Sequence, residues 1–183
     1  MLRAATFAST NQNKYREVQS ILSTYGLAVD FVELNLTEIQ SDSLEEIAGE
    51  KAKSAFARVS RPVIVEDDGL FIDALKGFPG QYSSHAYKTI GNDGIMKLLA
   101  GSTNRKASFR SLIAFYDGEH LSISEGKVEG RISNEITEGG WGFDPIFVPA
   151  GTSLTFAQLK DRKNEYSHRK KALDNFARWY LKL

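Results

Sequence analysis

Three consecutive acidic residues form one group whose residue types and spacing could support chemistry. Glu66, Asp67 and Asp68 directly follow the apolar run Val63–Val65, and Gly69 comes next. Adjacent carboxylates repel one another, so placing them beside a hydrophobic core is unfavourable unless a cation compensates. Mg²⁺ is commonly held by one or two carboxylates together with phosphate oxygens. A divalent-metal site is therefore one interpretation, and an acidic turn in water is the other.

A polar segment near the N-terminus is suited to phosphate. It reads Ser9-Thr10-Asn11-Gln12-Asn13-Lys14 and separates a predicted strand from a predicted helix. A strand-to-helix loop exposes free backbone N–H groups at the positive end of the helix dipole. Lys14 would add a positive charge there. The segment lacks the glycines of a Walker A loop, and a capped turn without a ligand is the alternative.

Glycines bracket two aromatic residues in a third segment, Gly139-Gly140-Trp141-Gly142-Phe143-Asp144-Pro145. Such glycines let the backbone approach a flat ligand while an aromatic ring stacks on it. Asp144 or the backbone would then bind polar groups of a base. A glycine-rich bulge with core aromatics is the alternative.

A fourth segment, Lys163-Asn164-Glu165-Tyr166-Ser167-His168-Arg169, precedes and begins the last predicted helix. Ser167 is a natural N-cap, which places His168 and Arg169 in the first turn. The helix dipole disfavours cations there, so an anionic or polar ligand nearby would stabilise them. A solvated basic helix start is the alternative.

Helices alternate with strands along the chain, which predicts an α/β fold. A hairpin signal at Asp117-Gly118 makes the expected sheet mixed rather than parallel. A capping-box pattern, Ser43 with Glu46, marks one helix start. The predicted helices cover Lys14–Tyr25, Ser43–Val59, Asn92–Leu99 and Ser167–Leu183. The predicted strands cover Leu2–Ala8, Leu27–Leu34, Val63–Val65, Lys106–Tyr116, His120–Glu129 and Phe143–Val148.

The composition indicates an ordinary globular protein. Its 183 residues fit one domain, which we expect to have two lobes, and 42% of them are hydrophobic. The formal net charge is zero, which disfavours binding to nucleic acid or to an anionic membrane. No apolar run reaches the ~20 residues that span a bilayer. The chain has no cysteine, which excludes thiolate chemistry, and we expect a cytoplasmic protein.

Taken in order, these segments resemble the inosine triphosphate pyrophosphatase family. Two further stretches contribute to the resemblance. They are Gly77-Phe78-Pro79-Gly80-Gln81-Tyr82-Ser83-Ser84 and the continuation of the fourth segment as far as Leu173. The resemblance implies an elongated, two-lobed α/β fold in which a long mixed sheet floors a central nucleotide cleft. It implies a homodimer that uses Mg²⁺ and hydrolyses non-standard purine nucleoside triphosphates (ITP, dITP, XTP) to monophosphate and pyrophosphate. Water, activated with the help of Mg²⁺, would attack the α-phosphorus.

The resemblance also implies roles for single residues. Asp67, Lys14 and Lys51 would be catalytic, with Asp67 as the proton acceptor and Lys51 as a second phosphate lysine. Glu38 and Asp67 would hold the metal. The implied substrate-binding residues are Ser9, Thr10, Asn11, Gln12, Asn13, Lys14, Lys51, Asp68, Trp141, Gly142, Phe143, Asp144, Lys163, His168 and Arg169.

The sequence departs from the family pattern in three places. Thr10 stands where Gly is common, Asp68 stands where Ser or Thr is usual, and the aromatic types at Trp141 and Phe143 are exchanged. Two other functions stay open at this point. One is a Maf-type pyrophosphatase for modified or pyrimidine nucleotides, which Ser167-His168-Arg169 disfavours. The other is a nucleotide-binding sensor with little catalysis, for which the added charge of Asp68 is the warning sign.

Overall fold

The computed structural model of the chain describes residues 4–183 and has the predicted α/β fold. The strands are β1 (Ala4–Ala8), β2 (Ala28–Val32), β3 (Val63–Ile72), β4 (Pro79–Gly80), β5 (Lys106–Tyr116), β6 (Leu121–Ile132) and β7 (Phe147–Pro149). The helices are α1 (Gln12–Ser23), α2 (Leu44–Val59), α3 (Ser83–Thr89), α4 (Gly91–Leu98), α5 (Phe156–Leu159) and α6 (His168–Tyr180). Short 3₁₀ helices cover Asp73–Leu75 and Lys160–Glu165.

The strands form one mixed sheet, as predicted. Its order is β2-β1-β3-β5-β6-β7, and β4 pairs with β3 beside this path. β1 runs parallel to both β2 and β3, whereas the β3–β4 and β6–β7 pairs are antiparallel. β3 is buried along almost its whole length, which is typical of a strand covered on both faces. Any charged residue within it therefore needs a partner.

The chain divides into two compact units. The first unit comprises the residues up to Asp67, Ser111–Gly126 and Arg169–Leu183, and the second comprises Asp68–Arg110 and Lys127–His168. In the first unit, α1 and α6 contribute their apolar faces to a core that also contains residues of β1, β2, β3 and β5. The second unit has its own core, built from residues of β3, α4, β5, β6 and α5 and from the segment before β7.

The predicted end of the strand Val63–Val65 is wrong, because β3 continues to Ile72. Glu66, Asp67 and Asp68 thus lie inside a strand rather than after one. The sequence pattern favoured an early end since charged residues rarely continue a buried strand. The side-chain partners described below compensate the buried charges and so allow the strand to continue.

Other boundaries also differ. α1 begins at Gln12, two residues before the prediction, because the Asn11 side chain caps it and draws Gln12 and Asn13 into the helix. Residues 143–146 form turns rather than a strand, held by N–H groups of Asp144 and Ile146 that donate to nearby carbonyl groups. The helices α3 and α5 were not predicted because seven and four residues are too few for a periodic pattern.

Two predicted elements agree closely with the structure. α2 ends at Val59 and is capped by Ser43, whose Oγ accepts the N–H of Glu46, and β5 has the predicted bounds. The Glu46 carboxylate accepts from Ser41 Oγ rather than from the Ser43 backbone, so Ser41 completes the cap. Of the predicted first strand, Leu2 and Arg3 lie outside the described residues. Within residues 4–183 there is no helix long and apolar enough to cross a membrane.

Candidate active site

The polar segment after β1 is ordered by its own side chains. Asn11 Oδ1 accepts the N–H groups of Asn13 and Lys14 at 3.0 and 3.2 Å, and Ser9 Oγ accepts the N–H of Asn11 at 3.0 Å. Thr10 does not adopt a left-handed backbone, so this position does not need the freedom of glycine. The departure at Thr10 is therefore compatible with the loop.

In the first unit, Lys51 contacts two carboxylates. Its Nζ donates to Glu38 Oε1 at 2.6 Å and to Asp67 Oδ1 at 2.9 Å. The side chain of Lys51 comes from α2, and that of Asp67 comes from β3. Three of the residues assigned to metal and phosphate by resemblance thus lie in direct contact.

Burial perturbs both members of this pair. It raises the pKa of Asp67 above its usual range, although Lys51 and Lys14 act in the opposite direction. Burial acts to lower the pKa of Lys51, but the attraction of Asp67 and Glu38 outweighs it and leaves that pKa raised. The lysine is therefore held in its charged form, while Asp67 is a better proton acceptor than an ordinary exposed carboxylate.

These carboxylates fit a hard divalent cation. Asp67 Oδ2 is buried and has no hydrogen-bond donor among residues 4–183. No group of three or more His, Cys, Asp or Glu side chains suited to a metal occurs in the described chain. A site made of two carboxylates matches Mg²⁺, which fills its remaining positions with water and phosphate oxygens. Glu38 and Asp67 are the residues that would hold it.

Glu66 belongs to a second network in the first unit, in which Glu66 and Arg169 are buried while Lys14 and Glu17 are 14% and 18% exposed. Its Oε1 accepts from Arg169 Nε and from Ser111 Oγ, each at 2.7 Å. Its Oε2 lies 3.6 Å from Lys14 Nζ. Arg169 also donates a hydrogen bond to Glu17. Two cations and two carboxylates balance each other here, which is what allows them to be buried.

The strand explains why the consecutive carboxylates do not repel each other strongly. Successive side chains of a β-strand point to opposite faces, so Asp67 is directed away from both Glu66 and Asp68. Glu66 forms an ion pair with Arg169, and Asp67 forms one with Lys51. An acidic run that looks unfavourable in sequence is thus divided among different cations.

A second group of predicted residues comes together in the second unit. Lys163 Nζ donates to Asp144 Oδ2 at 2.8 Å, and the Trp141 N–H reaches the same oxygen at 3.3 Å. The Lys163 ammonium also lies 5.0 Å from the centre of the Trp141 ring. Asp144 and Lys163 are both buried. This ion pair fixes the loop that carries the tryptophan.

The two aromatic residues of this loop have different surroundings. Phe143 is 4% exposed and meets the Tyr87 ring edge-to-face, with centroids 5.5 Å apart. Trp141 is only partly buried. At Gly142, which lies between these two residues in the chain, the backbone carbonyl accepts a hydrogen bond from the Asn92 side-chain amide at 3.1 Å. Phe143 therefore anchors the loop in the core, while Trp141 is the more exposed of the two rings.

His168 lies in the core of the second unit. Its ring is 2% exposed and stacks on Phe109 at 4.5 Å and on Phe156 at 5.9 Å between centroids. Its Nε2 lies 3.8 Å from Asp68 Oδ2. The carboxylate that departs from the family pattern thus faces an imidazole.

Known proteins identify the family to which this arrangement belongs. The sequence profile of the Ham1 family matches residues 5–179. The chain belongs to the Ham1 family. Among related proteins, the "dITP/XTP pyrophosphatase" of Methanopyrus kandleri is 50% identical over 177 residues, which are 95% of this chain and 94% of that protein. That of Thermococcus kodakarensis is 48% identical over 175 residues, 94% of this chain and 95% of that protein.

Solved structures of Ham1 proteins agree with the fold. The HAM1 protein of Coxiella burnetii superimposes with a TM-score of 0.84 at 29% identity and covers 100% of both chains. The Ham1 protein of Staphylococcus aureus gives 0.82 at 26% identity, covering 97% of this chain and 98% of that one. The α/β fold with a mixed sheet is thus shared with Ham1 proteins along the whole chain.

Several residues that contact the candidate site residues were not predicted from the sequence. Glu17 and Ser111 join the Glu66 network, Asn92 donates to the glycine-rich loop at Gly142, and Phe109 stacks on His168. Ser111 sits in an otherwise apolar stretch of β5, which is a weak signal of a buried polar partner. Conversely, Gln12 and Asn13 were predicted to bind phosphate, and their side chains are exposed on the first turn of α1.

Proposed function

We propose that this protein hydrolyses non-standard purine nucleoside triphosphates (dITP, XTP and ITP) to the monophosphate and pyrophosphate. The observation that carries the proposal is the contact of one partly buried lysine, Lys51, with two carboxylates, of which Asp67 has a buried oxygen that lacks a donor. The substrate carries a triphosphate, whose negative charge and requirement for a divalent cation match this group. The names of the related proteins support the same reaction.

We further propose that Asp67 accepts the proton of the attacking water, because its raised pKa makes it a stronger base than an exposed aspartate. Lys51 and Lys14 supply positive charge for the pyrophosphate that leaves. Mg²⁺ held by Glu38 and Asp67 would supply further charge neutralisation of the phosphates. No residue of this group needs to form a covalent intermediate.

In the second unit, Trp141 would stack on the base, and the loop held by Asp144 and Lys163 would bind its polar edge. A site that pairs with the 6-keto group leaves its own donor unpaired when adenine enters, and such mismatches discriminate strongly. The identification of the metal as Mg²⁺, a homodimeric assembly and a cytoplasmic location are further parts of the proposal.

The test is pyrophosphate release from dITP, XTP, ITP, GTP, ATP and dTTP, with Mg²⁺ and with a chelator. We expect fast release from the first three, none after chelation, and recovery when Mg²⁺ is restored. Asp67→Asn should lower kcat by orders of magnitude while the fold is kept. Equal turnover of dTTP would instead favour a Maf-type enzyme. Binding of ITP without turnover would favour a nucleotide sensor.

A further inference from the structure

A cleft of about 930 Å³ lies wholly within the second unit, and the proposed reaction does not use it. Its walls come from the start of β5 and the chain before it, from the end of β6 and the chain after it, and from β7, α5 and the loop between them. The lining residues include none of those assigned above to nucleotide, phosphate or metal. Ligand pockets have volumes of about 300–1,000 Å³, so the cleft is large enough for a small molecule.

Two basic residues stand directly opposite each other on the wall of this cleft. β5 and β6 are joined by residues 117–120 alone, so they form an antiparallel hairpin. The Ile132 N–H donates to the Arg105 carbonyl at 2.8 Å, which makes these two residues a hydrogen-bonded pair. One position closer to the hairpin turn, Lys106 therefore lies opposite Arg131 on the same face of the sheet. Residues in such a pair have Cβ atoms about 5 Å apart.

The charges of this pair lack compensation within the described part of the chain. Neither the Lys106 ammonium nor the Arg131 guanidinium has an ion-pair or hydrogen-bond partner among residues 4–183. Glu129, two residues before Arg131 on the same face of β6, is paired with Lys127 at 2.7 Å. Like charges directly opposite each other destabilise a sheet. An anion between the two side chains would relieve this repulsion.

A third basic residue adds positive charge to the same cleft. Arg105, which is partly buried, donates from Nε to the Ile132 carbonyl at 3.0 Å and from Nη2 to the Ser133 carbonyl at 2.6 Å. All of its hydrogen-bond acceptors among residues 4–183 are uncharged. Glu135 is the single carboxylate among the described lining residues, and it forms no ion pair with the three cations. The cleft thus carries excess positive charge although the formal net charge of the chain is zero.

We propose that this cleft binds a small molecule that carries two linked phosphate groups. Lysine and arginine both bind phosphate, and arginine does so through two parallel hydrogen bonds. Two cations on neighbouring strands can each contact one phosphate of a pyrophosphate group, whereas a halide ion would leave most of the cleft empty. Free pyrophosphate and the diphosphate end of a nucleotide share this chemistry. The proposal does not depend on the function proposed above.

Binding can be located by ¹⁵N–¹H spectra of the backbone amides, recorded without Mg²⁺ during a titration with inorganic pyrophosphate. We expect the signals of cleft residues, such as Thr103, Ser133 and Asn134, to move together and to reach saturation. The signals of Asn13 and Lys14 report separately on the polar segment after β1. Movement confined to that segment, or no movement at all, overturns the proposal.

A parallel titration with ADP distinguishes the two sources of the diphosphate group. A cleft that takes a nucleotide binds ADP more tightly than pyrophosphate, because the nucleoside adds contacts. A cleft that takes free pyrophosphate binds ADP more weakly, because the nucleoside removes one negative charge and adds bulk. Saturation of the cleft signals by either compound supports the site, and failure of both compounds overturns it.

Two exposed basic residues of β6 provide a matched pair of variants. Arg131→Gln should weaken pyrophosphate binding in the cleft at least about tenfold, because it removes charge-assisted hydrogen bonds to phosphate. Lys127→Gln removes the same charge from the same strand, but Lys127 does not line the cleft, so the affinity should stay nearly unchanged. Equal weakening in the two variants would mean that pyrophosphate senses only the general charge of the surface, which overturns the site.

The repulsion between Lys106 and Arg131 has its own test in the ligand-free protein. Arg131→Glu and Arg131→Gln introduce side chains of nearly the same size, but only the glutamate attracts Lys106. Arg131→Glu should therefore have the higher melting temperature, and added salt should reduce the difference. An equal or lower melting temperature for Arg131→Glu would show that the positive charge of the cleft is already compensated, and the proposal would be wrong.

Discussion

The ammonium of Lys51 lies 2.9 Å from Oδ1 of Asp67, although the two residues are 16 positions apart in sequence. The contact joins a helix to a strand of the first unit and leaves Asp67 Oδ2 buried without a donor. A carboxylate in this state is poorly compensated by protein alone. It is suited both to accept a proton and to bind a cation, which is the combination that hydrolysis of a phosphoric anhydride requires.

Lys51→Met should lower the rate of pyrophosphate release by about 10²–10³-fold, the usual cost of one donor that stabilises developing charge. Methionine keeps much of the apolar stem and removes the ammonium. Lys53→Met is the matched control, since Lys53 lies on the same helix, is 48% exposed and pairs only with Glu50 among the contacts described for it. Steady-state kinetics with ITP measure both, and equal effects of the two changes would contradict the assignment of Lys51.

Arg169→Met should destabilise the protein by about 3–5 kcal/mol, because the Glu66 and Glu17 carboxylates would lose their shared buried cation. Urea denaturation measures the free energy of unfolding. Arg178→Met is the control, because Arg178 is an exposed arginine of the same helix. A loss below about 1 kcal/mol for Arg169→Met, typical of an exposed ion pair, would show that the network is not closed to water.

Trp141→Ala should mainly change KM, whereas Phe143→Ala should mainly lower the free energy of unfolding. Trp141 is partly exposed, so its loss should raise KM for ITP about tenfold, as expected for a lost stacking contact, with little change in stability. Phe143 is buried against Tyr87, so its loss should cost about 3–5 kcal/mol of stability. Thermal unfolding and initial rates distinguish the two. A larger KM effect from Phe143→Leu, a milder core change, than from Trp141→Ala would reverse the assignment.

Gly140→Ala should disrupt the glycine-rich loop (residues 139–145) more than Gly142→Ala. Both glycines have positive φ angles, +68° and +60°, so both substitutions carry backbone strain. A Cβ on Gly140 would in addition lie 2.6 Å from Asp144 Cβ, whereas one on Gly142 would meet nothing within 4 Å. Comparing their melting temperatures isolates the clash. Equal losses would mean that Asp144 can move aside.

The order of the chemical segments along the chain was sufficient to predict the family and fold. Polar residues between a strand and a helix, glycines around aromatics and a capped basic helix are local patterns, and each depends on neighbours a few residues away. The α2 cap at Ser43 and the bounds of β5 were predicted for the same reason. Segments of four to seven residues, such as α3 and α5, carry too little periodicity to be recognised.

Only the tertiary structure shows which charged residues form ion pairs with each other. The acidic run of β3 could be interpreted as the end of a strand, because nothing local in the sequence says that Arg169 lies beside Glu66, 103 positions earlier in the chain. Likewise, only the structure shows that Phe143 lies in the core, whereas the sequence left the roles of the two aromatic residues open. Periodicity and capping act over a few residues, so the sequence by itself determined the family, the fold class and most of the longer elements. Charge compensation acts through space, so only the folded chain could determine the pairs.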